Sequence, residues 1–138
     1  MGLGNYISLM KTRMRETAFA ARAESCLTSP RIKDLDRMGE MYGLFTESLL
    51  RSEKGANPRG HMERRKFLLI AAFFFCPDAL AGRKMRQGTR DALAQVTGIT
   101  PQLVCRQFRQ ALFYYDTYSD FKVSVDSLLG EVLALLSE

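Results

Sequence analysis

The chain has 138 residues and a formal net charge of +5, with 46% hydrophobic and 25% charged residues. That size and balance suit one packed domain, or a small domain with a helical arm, and do not suit a disordered chain. The three cysteines (Cys26, Cys76, Cys105) form no CxxC pair and the single histidine is His61, which argues against a disulfide scaffold or a structural zinc site and fits a reducing cytoplasm.

Taken in chain order, Asn5 to about Cys26 reads as a helix. Ile7, Met10, Met14, Phe19 and Ala20 give it a rough apolar stripe with cations between them, the pattern of an arm more than of a core helix. Thr28-Ser29-Pro30-Arg31 stops that helix and starts another, with Ser29 as cap and Pro30 at the first position. The second helix runs to about Glu53, with Leu35, Met38, Met41, Tyr42, Phe45 and Leu49 on one face. Gly43 inside it predicts a kink or a close packing contact. Ser52–His61 carries two glycines and a proline and no large apolar side chain, and reads as a linker. The expected organisation is an N-terminal helical hairpin or arm over 1–54, a linker over 55–61 and a second unit over 62–138.

Residues 62–82, MERRKFLLIAAFFFCPDALAG, imitate a secretory signal, but they lie in mid-chain, where such a signal does not work. The apolar run Phe67–Cys76 is about half the length of roughly 20 residues needed to span a bilayer. We therefore expect a helix over about Glu63–Phe75, buried on nearly all sides and closed by Cys76-Pro77, then one short turn at Asp78-Ala79-Leu80 and a basic loop, Gly82–Gly88. Alternation of apolar and polar residues never persists long enough to predict a strand. The fold class is all-α, a compact helical bundle.

Thr89 is the expected cap of the next helix, with Asp91 in its first turn. Leu93 and Val96 face inward, Ala94 is small, and Gly98 ends the helix where a left-handed residue is required. Ile99 plugs into the core. Thr100 caps the following helix and Pro101 takes its first position, with Val104, Phe108, Ala111 and Leu112 as its inner stripe. The spacing Ala94, Gly98, Val104 resembles the helix-turn-helix signature of bacterial and phage repressors, over about 22 of the 138 residues. The resemblance implies a second helix whose start enters the major groove of duplex DNA. The signature's next inward site holds Gln107, beside the apolar Phe108, so the helix is expected to be rotated slightly. Farther on, YYDTYSDFKVSV (114–125) looks like small helix-turn-helix proteins of bacterial mobile elements or phages.

Charge coincides with this motif. From Arg83 to Gln110 there are six cations and one anion. From Ala111 to Glu138 there are five anions and one cation. Clustered Lys and Arg are the footprint of phosphate binding. The outward positions of the second helix are Thr100, Pro101, Gln102, Cys105, Arg106 and Arg109. Arg106 suits a bidentate contact to guanine and Gln102 one to adenine. Arg109, Arg90, Lys84 and Arg86 suit phosphates, and Thr100 completes the set.

The aromatic group Phe113, Tyr114, Tyr115, Tyr118 and Phe121 has acidic neighbours, which points to core or dimer packing rather than to base stacking. The last helix starts near Ser119 or Asp120. Phe121, Val125, Leu128, Leu129, Val132, Leu135 and Leu136 give it a wide apolar stripe, suited to a two-fold dimer contact or to folding back on Phe67–Cys76.

With one histidine and no HExxH, P-loop or GxGxxG, we expect no enzyme, no cofactor, no catalytic or metal-binding residues and no membrane partner. The expected function is sequence-specific binding of double-stranded DNA, as a homodimeric transcriptional regulator or a phage or mobile-element accessory factor. The competing expectation is a helical protein-interaction module (an adaptor, phage structural component or inhibitor) on the same scaffold.

Overall fold

Every side chain from Phe67 to Cys76 is at most 7% exposed, and the fold is organised around that segment. The computed structural model describes Leu3, Gly4, Ile7, residues 35–53 and residues 55–136. The Thr28–Arg31 boundary, Cys26 and most of the first expected helix lie outside the described residues. A 3-10 turn, Leu35–Arg37, leads into α1 (Met38–Ser52). Then come α2 (His61–Phe75), the single turn α3 (Pro77–Leu80), α4 (Gln87–Thr97), α5 (Pro101–Thr117) and α6 (Ser119–Leu136). Among the described residues there is no strand, and the helices pack together as an all-α bundle.

The apolar run of α2 has no polar face, so the only stable place for it is between other helices. It packs on α1, α4, α5 and α6. The Phe67 ring meets Tyr42 edge-on at 4.9 Å and Phe45 at 5.3 Å, which seats α1 across its start. The Met38, Met41, Phe45 and Leu49 stripe of α1 shares one continuous core with α2 and α6. Gly43 makes no close contact and does not interrupt the helix. It is exposed on an unbroken helix, with nothing within 4 Å of where a Cβ would stand.

α2 begins at His61, two residues earlier than expected, because the Gly60 carbonyl already accepts the Arg64 amide at 2.9 Å. His61 is exposed. The helix closes at Cys76, and Pro77 opens the single turn α3. At the far end of α1, Glu53 accepts from Ser124 Oγ at 2.6 Å and pairs with Lys66 Nζ at 3.4 Å, which ties α1, α2 and α6 together.

The stripe of α6 is used inside the monomer. Phe121, Val125, Leu128, Leu129 and Val132 are all buried, and α6 packs on α1, α5 and α2. This is the folded-back arrangement, and it removes the stripe from the two-fold contact that the sequence also suggested. The aromatic group divides. Tyr115 and Phe121 enter the core, Tyr114 is half-buried, and Phe113 and Tyr118 remain 58% and 52% exposed. At the start of the chain, Leu3 and Ile7 are buried, and the Leu3 amide donates to Asp126 Oδ1 at 3.1 Å.

Candidate nucleic-acid interface

α4 and α5 are joined by three residues whose backbone follows from their side chains. Gly98 has φ +76, a left-handed conformation that costs glycine little and other residues more. In it, the Gly98 and Ile99 amides both reach the Ala94 carbonyl, at 2.9 and 3.2 Å, which closes α4. Ile99 is half-buried against the core. Thr100 is extended, and its hydroxyl accepts the Leu103 amide at 3.2 Å, satisfying a donor that the new helix would otherwise leave open. Pro101 occupies the first position, where its missing N–H costs nothing. Leu93, Ala94, Val104, Phe108 and Ala111 are buried between the two helices and the rest of the bundle.

Two expectations fail here. Thr89 is not a cap. α4 begins at Gln87 with Arg86 before it and no side-chain cap, so Thr89 is the third helical residue and is buried. Asp91 accordingly lies beyond the first turn. The early start lets Gly88 face Leu35, whose Cδ1 would lie 3.3 Å from a Cβ at that position. Nor is α5 rotated to expose Gln107. That residue is 4% exposed, beside the equally buried Phe108, and its Oε1 has no hydrogen-bond partner. The inner face of α5 is simply wide enough to hold both.

The outer face is polar. Thr100, Gln102, Arg106 and Arg109 are exposed, while Pro101 and Cys105 are half-buried. Residues 102, 106 and 109 follow the four-and-three spacing of one helix face. Beside this face runs the basic loop between α3 and α4. Gly82, at φ +98, turns it. Met85 is buried and anchors it, while Arg83, Lys84 and Arg86 stay exposed. The loop and α5 together form a groove of about 420 Å³ lined by Ala79, Gly82, Arg83, Lys84, Met85, Cys105, Phe108, Arg109 and Leu112.

Packing thus brings Lys84 and Arg109 to one groove and adds Arg83, which the sequence marks only as part of the basic cluster and not as a phosphate contact. Its signal was local, since Met85 is an apolar residue set among cations and marks a loop pinned to the body. Gln102 and Arg106 continue the same helix face toward the start of α5. Arg86 stands at the entry to α4. Arg90 is less available than expected. It is half-buried, and its Nε lies 3.5 Å from Asp91 Oδ1, within ion-pair range but without a hydrogen bond. Arg65 is committed to structure. It donates to Gln110 Oε1 through Nε and Nη2 at 3.2 and 2.7 Å, and its guanidinium stands over the Tyr114 ring at 5.5 Å.

Among the described residues, no group of three His, Cys, Asp or Glu side chains is placed to hold a metal ion, and no helix is long and apolar enough to cross a membrane. Comparison of the chain with protein-family models, with curated proteins and with solved structures finds no match to any of them.

Proposed function

We propose that the protein binds double-stranded DNA in a sequence-specific manner, with the start of α5 in the major groove. The observation that carries this reading is the shared position of the loop cations and the outer face of α5. Arg83, Lys84 and Arg109 line one groove, and the exposed Gln102 and Arg106 continue that helix face. In this reading the cations of the groove and Arg86 neutralise phosphates and set the register, while Arg106 and Gln102 read base edges. Arg90, half-buried and within ion-pair range of Asp91, contributes less. The protein acts as a regulator or accessory factor and not as a catalyst.

The test is selection from a random duplex library at two salt concentrations. The reading expects a recovered consensus and an affinity that falls steeply with salt, by about 0.9 in log–log slope for each phosphate contacted. Failure to retain any duplex at low salt contradicts it. A second reading, a protein-interaction module, draws on the exposed aromatic pair Phe113 and Tyr118, whose rings meet edge-on at 6.4 Å. A stable protein partner together with absent DNA binding selects that reading.

A further inference from the structure

The groove between the basic loop and α5 combines two features that duplex DNA alone does not require. Its floor is apolar, formed by the buried Met85 and Phe108 with the half-buried Leu112. Its rim is cationic, formed by the exposed Arg83, Lys84 and Arg109. A phosphate backbone would use the rim and leave the floor wet. At about 420 Å³ the space falls within the usual range of small-molecule sites, roughly 300–1,000 Å³.

We propose that this groove is a binding site for a small amphipathic anion, a carboxylate on an aliphatic or aromatic body, which places its body on Met85, Phe108 and Leu112 and its charge among Arg83, Lys84 and Arg109. A wholly polar anion leaves the floor uncovered, and a neutral hydrocarbon leaves three cations without a counter-charge. Only a ligand with both parts satisfies both surfaces. A consequence that rests on the DNA reading follows directly. Because Arg109 and Lys84 belong to the rim, an occupied groove has fewer free cations for phosphate, and the ligand weakens the hold on duplex DNA.

The test uses the full chain and straight-chain probes, read by titration calorimetry without DNA. Decanoate should bind. Octanoate should bind more weakly by about tenfold, since each buried methylene is worth up to about fourfold. 1-Octanol, which keeps the body and lacks the charge, should bind more weakly than octanoate by about threefold. Arg109→Gln should weaken decanoate and leave 1-octanol unchanged. Leu112→Trp, which fills the groove, should abolish both. Decanoate should also slow alkylation of Cys105, which lines the groove, as read by mass spectrometry of its peptide. Should Leu112→Trp fail to fold, Arg109→Gln and Cys105 protection decide. Equal binding of octanoate and 1-octanol, or decanoate binding unchanged in Arg109→Gln, overturns the assignment. A separate duplex titration distinguishes the two levels. Decanoate binding with no duplex binding upholds the groove and removes the DNA reading. Duplex binding with no decanoate binding removes the groove alone.

Discussion

Tyr115 donates its hydroxyl to Asp126 Oδ1 at 2.6 Å, joining α5 to α6 beneath the point where the chain begins. The same carboxylate oxygen accepts the Leu3 amide at 3.1 Å. Gly4 passes so near that a Cβ there would stand 3.3 Å from the Tyr115 hydroxyl. One oxygen therefore holds together the start of the chain and the last two helices.

Burial and the hydrogen bond to Asp126, whose charge also opposes a phenolate, raise the Tyr115 ionisation well above that of an ordinary tyrosine. With the folded value raised above the unfolded one, the stabilising contribution is present in full below pH about 10 and is lost as pH climbs beyond it. Tyr115→Phe should cost about 1 kcal/mol at pH 8, and its gap to the parent chain should narrow near pH 11 in denaturant melts. A spectrophotometric titration should show a tyrosine step above the ordinary range, and that step should be missing from the variant. Absence of such a late step from the parent chain contradicts the arrangement.

The turn between α4 and α5 depends on two residues with separate reasons. Gly98→Ala forces a Cβ into left-handed backbone and should destabilise by about 1–2 kcal/mol. Thr100→Ala removes the acceptor of the Leu103 amide and should cost about 1 kcal/mol. Both are read from chemical denaturation. A neutral Gly98→Ala would mean that the turn relaxes to another conformation.

Gln107 places an amide in the core with its oxygen unpartnered. Replacing it by a side chain of similar length and no polar atoms removes that desolvation cost. Gln107→Met should therefore be neutral or stabilising by up to about 1–2 kcal/mol, and because the residue is buried it should leave duplex affinity unchanged. A marked loss of stability would show that the amide makes a bond essential to the fold.

Much of this arrangement could be read from the chain because its causes are local. Gly98, Thr100 and Pro101 form their turn from their own conformational limits, and Phe67–Cys76 is too apolar to sit anywhere but the centre. What escaped the sequence depends on what lies opposite. Thr89 has the chemistry of a cap, yet α4 begins at Gln87, with Gly88 against Leu35, a neighbour more than fifty positions away. Gln107 looks like a surface residue until the width of the inner face of α5 is known. The stripe of α6 fits a partner or its own core equally well by pattern, and only the helices it packs on decide. The groove was hidden for the same reason, since residues 82–85 and 105–112 meet only once the bundle is packed.

In the proposed complex the outer face of α5 reads duplex DNA while the cations of the adjoining groove hold its backbone. The most direct measurement is equilibrium binding of the selected duplex and of a scrambled duplex, each over a range of salt, for the parent chain, Arg106→Ala and Arg109→Ala. Arg106→Ala should lose about 1–3 kcal/mol on the selected duplex and much less on the scrambled one. Arg109→Ala should weaken both equally and lower the salt slope by about 0.9. Equal losses on both duplexes for Arg106→Ala, or no binding by the parent chain at low salt, would contradict the account.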